Sequence, residues 1–184
     1  MDSRTITYSI LIQFERKDTK IPMIRDAIYA KHTLNKCAKQ RATFLINEVI
    51  RLKGRLDLMI TFISSKKINH LGKTILTILR IGFYEIIYDP KIPDYAAVDS
   101  SVDLAHKFSN RKSAGFTNAV LRNLVRKKNK SKNWYEKLKL HRNCFSLPIW
   151  IQERWLKHYG EKDFYQYLLE YYLDSPQQFL PVYI

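Results

Sequence analysis

Apolar residues recur three and four positions apart along most of the chain, and short polar or proline-containing breaks separate these segments. Positions at this spacing lie on one face of an α-helix, so the pattern predicts a succession of amphipathic helices. Ser3 is the expected N-cap of the first helix, Gly54 is expected to end the third, and residues 179–184 are expected to be extended. The predicted helices span residues 3–16, a second helix opened by Pro22, 36–52, 56–63, 73–88, one from Asp94 or Tyr95 to 108, 114–127, one from Pro148 to Gly160, and 161–173.

The most apolar of these segments is residues 73–88, whose apolar side chains cover almost every direction around a helix. A helix of this kind is usually buried on several sides, so we expect it at the centre of the fold. Pro90 and Pro93 must end it, because proline cannot continue a helix interior. The segment contains Arg80 and Glu85 and is too short to span a bilayer, so no membrane-embedded part is expected.

The composition agrees with an all-α domain that has a real core. The chain has 184 residues, 46% of them hydrophobic, which suits one domain or one domain with an appendage. Five glycines and six prolines are few for a turn-rich β-sandwich or barrel. Cys37 and Cys144 form no disulfide framework, and residues 1–4 show no secretory signal, so a cytoplasmic location is predicted.

The charge is large and unevenly distributed. Lys and Arg total 32 against 17 Asp and Glu, a formal net charge of +15. Residues 111–142 hold eleven basic residues and one acidic residue, whereas residues 147–184 are slightly acidic. A polyanionic partner is therefore expected, with nucleic acid ahead of an acidic protein or a membrane surface. For residues 127–139 a solvated linker that only aids solubility stays open.

Catalytic and metal-binding patterns are missing from the sequence. The five histidines are isolated, and none forms a ligand pair at helical spacing with a cysteine or another histidine. No glycine-rich turn offers a phosphate cradle, and Cys37 has no identifiable base. We expect no catalytic residue, metal or cofactor in this chain, which alone is not expected to be a complete enzyme.

The basic residues near the 114–127 helix form the strongest candidate site. Asn118, Arg122 and Arg126 are four residues apart and share one helical ridge. Arg111 and Lys112 precede the predicted helix start, where backbone N–H groups and the helix dipole favour anions. A phosphate backbone needs such charges and donors along a groove. The alternative for Asn118 is a structural role, because buried asparagines often satisfy backbone groups.

Further contacts depend on the fold. Phe116 could stack on an unpaired base, although packing in the core is an equal alternative. Arg4, Arg51 and Arg55 would add to the basic patch only if the fold brings them near it. A protein–protein interaction domain whose charge only aids solubility is a further alternative.

Several motifs together resemble one known domain. Residues 92–98 (IPDYAAV), 102–108 (VDLAHKF) and 114–122 (AGFTNAVLR) resemble the carboxyl half of the NusB-like RNA-binding domain. The similar version stands at the front of RsmB/Sun (Fmu)-type small-subunit rRNA cytosine-C5 methyltransferases. Residues 79–85 (LRIGFYE) are similar to the central helix of that domain, and residues 148–160 to the segment that links it to the methyltransferase core. Free-standing NusB antitermination factors lack this linking segment.

The chain also departs from the family pattern. Glu48 stands where the family has a glycine, and Asp99-Ser100 where it often has Asn-Glu. The S-adenosylmethionine loop and catalytic cysteines of the methyltransferases have no match here. The sequence also stops in mid-pattern, so we expect either a fragment of a longer protein or a protein that cannot methylate.

The resemblance implies an all-α NusB-like bundle of two packed helical subdomains followed by a helical connector. Residues 1–128 would be the RNA-binding domain, 129–146 a basic linker, and 147–184 a connector to an absent methyltransferase domain, which would bind S-adenosylmethionine. The implied partner is RNA, with small-subunit rRNA first. The implied RNA contacts lie near the starts of the first helix and of the 114 helix. They are Arg4, Arg111, Lys112 and Phe116, followed by Asn118, Arg122 and Arg126.

Two functions remain open within this resemblance. The first is the rRNA-recognition domain of a cytosine-C5 methyltransferase. The second is a stand-alone antitermination factor that binds RNA together with a ribosomal protein.

Overall fold

A computed structural model describes residues 2–16, 19–131, 134–135, 138 and 141–167. The described residues form α-helices and short 3-10 helices and contain no strand, so the predicted all-α class is confirmed. The α-helices are α1 (Ser3–Phe14), α2 (Ile21–Lys31), α3 (Lys36–Arg51), α4 (Lys53–Ser64), α5 (Lys73–Tyr88), α6 (Asp94–Phe108), α7 (Arg111–Lys130) and α8 (Ile149–Tyr167). The 3-10 helices are Ile68–His70 and Arg142–Phe145. None of the described helices is long and apolar enough to cross a membrane.

Helix α5 is the centre of the bundle, as its apolar pattern predicts. Every residue from Ile75 to Ile86 is buried, and α1, α3, α4, α6 and α7 all pack against the helix. Helices α1–α3 form one packed group and α5–α7 another, with α4 in contact with both. Gly82 permits the close approach of α6 and α7, since a Cβ there would lie 2.7 Å from Ser101 Oγ.

Two buried charges on α5 tie it to its neighbours. Glu85 is fully buried and accepts hydrogen bonds from Arg4 of α1 and Arg41 of α3. Arg80 donates to Asp57 of α4 at 2.7 and 2.8 Å and forms an ion pair with Glu15 at 2.8 Å. Because a buried charge is costly unless it is paired, these contacts hold the helices in register.

Side-chain caps place two helix starts differently from the sequence prediction. Asp2, not Ser3, caps α1, because its Oδ1 accepts a hydrogen bond from the Thr5 N–H at 2.9 Å. Asn110 caps α7 in the same way, accepting from the Ser113 N–H at 2.9 Å. Helix α7 therefore begins at Arg111, three residues earlier than predicted.

The predicted helix end at Gly54 is wrong, because Gly54 lies in the first turn of α4. A Cβ at this position would lie 2.0 Å from the backbone oxygen of Asn143. The Gly54 N–H also donates to Ser146 Oγ at 2.7 Å. Glycine is needed here because the 142–146 segment packs directly against the α4 backbone.

The carboxyl-terminal residues of the predicted basic linker 129–146 are part of the core. Cys144 and Phe145 are buried, and Arg55 Nε donates to Cys144 Sγ at 3.2 Å. Phe145 meets Phe164 of α8 edge to face at 5.8 Å. Gly160, with a φ of +77°, interrupts α8 where a helix end was predicted. The predicted helix end at 173 and the extended 179–184 lie outside the described residues.

Candidate nucleic-acid interface

Helix α7 divides into a buried face and an exposed basic face. The buried residues pack toward α5 and α6 and are Ala114, Thr117, Val120, Leu121 and Leu124. The outward-facing residues are Arg111, Lys112, Gly115, Asn118, Ala119, Arg122 and Arg126, which we call the α7 basic face. All of them except the half-buried Asn118 are exposed. The i, i+4, i+8 ridge expected from the sequence thus exists, and Gly115 and Ala119 leave its middle open to close approach.

Arg111 and Lys112 are the first two residues of α7 rather than residues before it. Both are exposed at the end of the helix where backbone N–H groups point outward. The positive end of the helix dipole adds to their charge, so this turn attracts anions more strongly than isolated lysines would.

Asn118 holds Arg122 in place on the same face. Its Oδ1 accepts a hydrogen bond from Arg122 Nε at 2.9 Å. This contact joins the half-buried Asn118 to an arginine side chain, whereas the predicted alternative is an asparagine that satisfies backbone groups. Fixing one guanidinium edge leaves the remaining N–H donors of Arg122 directed toward solvent, where a phosphate could accept them.

The cations of the α7 basic face lack acidic partners. Within the described part of the chain, Arg111, Lys112, Arg122 and Arg126 form no ion pair with an aspartate or glutamate. Lys128 differs, since it pairs with Asp94 at 2.7 Å and donates to the Ile86 carbonyl. The four unpaired cations are therefore available to an external anion.

Arg4 is held inside the bundle rather than placed on the α7 basic face. Its Nε lies 2.8 and 3.0 Å from the two carboxylate oxygens of the buried Glu85, and 23% of its side chain is exposed. One turn later, the Tyr8 ring stacks on Phe108 at 4.2 Å, three residues before Arg111. The structure thus links α1 to the start of α7 through an aromatic pair, while an RNA contact by Arg4 stays a prediction.

Arg51 and Arg55 add no exposed charge to this face. Arg51 pairs with Glu48 at 2.7 Å, and Arg55 is buried with one guanidinium nitrogen 3.3 Å from Tyr88 Oη. Burial raises the pKa of the Tyr88 hydroxyl to about 12, although Arg55 opposes this shift. Tyr88 therefore stays neutral and serves as a hydrogen-bond partner in the core.

Phe116 is half-buried, packs against the core and also reaches the surface. The Lys66 ammonium lies 5.0 Å from the centre of its ring. Sequence reasoning found Phe116 but missed Lys66, which stands in the loop after α4. Only the packing of α4 on α7 brings the two together, so no local sequence signal could reveal this pair.

The remaining chemistry-bearing side chains do not form a second centre. The described residues contain no group of three or more His, Cys, Asp or Glu side chains placed to hold a metal ion. Cys37 is exposed and Cys144 is buried, while Asp99 and Asp103 lie exposed on α6.

Comparison with known sequences gives a consistent result. A profile described as the NusB family matches residues 1–126. The probable ribosomal RNA small subunit methyltransferase B of Synechocystis sp. is 26% identical over 164 residues, covering 89% of this chain and 37% of the relative. The transcription antitermination protein NusB of Lacticaseibacillus casei is 34% identical over 105 residues, covering 55% of this chain and 77% of the relative. The chain thus spans little more than a third of the methyltransferase relative.

Solved structures show the same fold. T. maritima NusB superimposes with a TM-score of 0.64 and 25% identity, covering 73% of this chain and 94% of that chain. A crystal structure of antitermination factors NusB and NusE in complex with dsRNA gives a TM-score of 0.62 at 22% identity, covering 68% of this chain and 94% of that chain. These similarities confirm the NusB-like helical bundle.

Proposed function

The chain belongs to the NusB family, and on this premise we propose that it binds RNA through the α7 basic face. The observation that carries the proposal is a solvent-exposed row of four cations on one face of a helix, for which the described part of the chain supplies no acidic partner. Elsewhere in the bundle, the arginines at positions 4, 41, 51 and 80 pair with carboxylates. These four arginines are therefore neutralised within the bundle, in contrast to the cations of the α7 basic face.

The arrangement suits a phosphate backbone. Arg111 and Lys112 stand at the amino end of α7, and Arg122 and Arg126 follow along the same face. Each phosphate that such a cation neutralises releases condensed counterions, which makes the affinity depend steeply on salt. The small residues Gly115 and Ala119 between them let the backbone of a nucleic acid approach the helix closely.

We propose further that the chain is the rRNA-recognition domain of a small-subunit rRNA cytosine-C5 methyltransferase. The match to the methyltransferase relative covers 164 residues and so must continue beyond residue 126, where the family match ends. The L. casei antitermination relative covers only 55% of the chain. The shared segment after residue 126 supports the methyltransferase assignment, and with it small-subunit rRNA as the partner and the cytoplasm as the location.

In this role the domain binds and orients the RNA and takes no part in the methyl transfer. S-adenosylmethionine supplies the methyl group in such enzymes, and it would bind to a downstream domain. The present residues do not fit it, because the five glycines are isolated and form no nucleotide-binding loop.

The second candidate is a stand-alone antitermination factor that binds RNA together with a ribosomal protein. It is supported by the 77% of the L. casei NusB that the chain covers, and by the solved complex of NusB, NusE and dsRNA. The gene sequence beyond Ile184 separates the two candidates. A glycine-rich nucleotide loop and cysteine-containing motifs would support the methyltransferase, whereas an immediate stop codon would reject it.

A salt titration tests the binding face. Fluorescence anisotropy with a small-subunit rRNA fragment should give a linear decrease of log affinity with log salt. Arg111→Ala with Lys112→Ala should lower the slope by about 1.4 to 1.8 units, at about 0.7–0.9 per lost phosphate contact. The exposed pair Lys31→Ala with Lys36→Ala, at the turn between α2 and α3, is the matched control and should leave the slope unchanged. Unaltered affinity and slope in the α7 variant would contradict the proposed face.

A further inference from the structure

Two phenylalanine rings along the contact between α4 and α7 are each paired with a lysine. We call this contact the α4–α7 seam and define it by Phe62, Ile63, Lys66, Phe116, Asn123, Lys127 and Trp134. At one end the Lys66 ammonium lies 5.0 Å from the centre of the Phe116 ring. At the other end the Lys127 ammonium lies 4.6 Å from the centre of the Phe62 ring.

The second end of the seam is an aromatic platform at the surface. Phe62 is 44% exposed although it is a large apolar side chain. Trp134 stacks on it with ring centres 5.8 Å apart and planes inclined by 17°. Two nearly parallel rings beside an ammonium group are the features that accept an unpaired base and its phosphate.

The two ends belong to one continuous surface. Phe116 and Lys127 are eleven residues apart on α7, which is about 16 Å along the helix axis. Between them Asn123 donates to the Ile63 carbonyl at 3.1 Å and holds α7 against α4. The exposed Arg126 and Ala119 lie beside Asn123 on α7, so the seam borders the α7 basic face along its length.

We propose that single-stranded RNA follows the α4–α7 seam, with bases stacked at Phe116 and at the Phe62–Trp134 platform. Lys66 and Lys127 have flexible four-carbon stems, so each ammonium can move to a phosphate while a base takes its place on the ring. The inference deepens the proposed RNA-binding function and depends on it. Charge favours RNA over a protein segment as the occupant, because α7 carries seven basic residues and no acidic one.

The seam distinguishes single strands from duplexes. In a double helix the base faces are stacked on one another and cannot reach an aromatic side chain. A duplex would therefore contact only the cations of the α7 basic face. A single strand would gain the same phosphate contacts and in addition the stacking contacts of the seam.

The test compares one RNA in two forms. A labelled single strand of about 12 nucleotides and the same strand annealed to its complement are titrated onto the full chain by anisotropy. Phe62→Leu removes the aromatic face, and its exposure predicts that the variant folds, which circular dichroism checks. We expect single-strand affinity to fall at least about fivefold, because stacking is worth about 1–3 kcal/mol per base. Duplex affinity and the salt slope should stay as in the unmodified protein.

Phe44→Leu is the matched control. Phe44 is 36% exposed, and Arg41 lies 5.6 Å from the centre of its ring, but it stands on α3. Its substitution should change neither affinity. As an independent readout, single-stranded RNA should quench tryptophan fluorescence in the unmodified protein, and Trp134→Phe should remove most of this quenching.

The outcomes separate the seam from the proposed function. If Phe62→Leu binds the single strand as the unmodified protein does, while Arg111→Ala with Lys112→Ala weakens binding, RNA binding stands and the seam is rejected. Equal weakening for single strand and duplex also rejects it, because the loss is then not one of stacking. If the unmodified protein binds neither form, the seam and the proposed function fall together.

Discussion

Arg4→Ala separates a structural role of this side chain from a contact with RNA. The substitution leaves the fully buried Glu85 carboxylate without the Arg4 Nε donor, which lies 2.8 and 3.0 Å from its two oxygens. Removing one member of a buried ion pair costs about 3–5 kcal/mol, because the other charge stays buried. Arg41 still lies 3.2 Å from Glu85, and Arg4 is partly exposed, so we expect a loss of about 2–3 kcal/mol.

Urea denaturation followed by circular dichroism measures this loss. Arg111→Ala is the matched control, because Arg111 is an exposed arginine on the α7 basic face. Its substitution should change the free energy of unfolding by no more than about 0.5 kcal/mol. In a Glu85→Gln background the cost of Arg4→Ala should shrink, since the buried charge that needs Arg4 has been removed.

RNA titrations complete the comparison at a temperature where every variant is folded. The Glu85 carboxylate balances the charge of Arg4, so Arg4→Ala should leave the salt slope unchanged, whereas Arg111→Ala should lower it by about 0.7–0.9. A lower slope for Arg4→Ala would show that Arg4 contacts phosphate, as the sequence resemblance implies. An unchanged free energy of unfolding would refute the structural role argued from Glu85.

Three further changes test the packing and the electrostatics. Gly54→Ala should lower the free energy of unfolding by about 1–3 kcal/mol, because its Cβ would meet the Asn143 oxygen at 2.0 Å. Gly115→Ala should raise the free energy of unfolding by about 0.5–1 kcal/mol, because there is open space around Gly115. Urea denaturation of both glycine variants measures these changes, and an equal change in the two variants would contradict the predicted difference. Burial is the largest single influence on the Glu15 carboxyl and raises its pKa, but Lys53 and Arg80 together lower it more, so the net pKa lies below its usual value. This stabilisation is present above the pKa of the unfolded chain and is lost as pH falls, so the stability gap between the unmodified protein and Glu15→Gln should shrink from about pH 7 to about pH 3.

The helices whose bounds the sequence predicts correctly are those with strong local signals. Helix α5 spans Lys73–Tyr88, as its apolar pattern and the prolines after it predict. Helix α6 spans Asp94–Phe108, and its start is the first of the two positions, Asp94 and Tyr95, that the sequence allows after Pro93. In both cases the residues that decide the bounds lie within the segment or directly beside it.

The sequence mispredicts the role or burial of a residue where a contact with a distant residue determines it. Gly54 resembles a helix stop when read locally, but it is glycine because Asn143, 89 positions away, occupies the space of a side chain. Cys144 and Phe145 are hidden in the same way, since the basic residues around them suggest a solvated link. Their burial follows from the docking of Arg142–Phe145 on α4, which no periodicity encodes.

In the candidate site too, features set within one helix could be predicted, whereas contacts between distant residues could not. The α7 basic face could be predicted because Asn118, Arg122 and Arg126 repeat within one helix. The pairing of Arg4 with Glu85 spans 81 positions, and Lys66 and Phe116 meet only through the packing of α4 on α7. The sequence therefore shows where the basic residues stand, whereas the structure shows which of them are paired with a carboxylate.

The α7 basic face has an energetic cost that an anion would relieve. Arg122 and Arg126 are like charges one turn apart, an arrangement that destabilises a free helix by about 0.2–0.5 kcal/mol per pair. The buried face of α7, with Leu121 and Leu124 fully enclosed, keeps the helix formed in spite of this repulsion. A bound phosphate would turn the repulsion into attraction, so ligand binding and helix stability are coupled. If the face binds RNA, RNA must raise the melting temperature of the domain, and Arg122→Ala with Arg126→Ala must reduce that increase while leaving the ligand-free domain at least as stable.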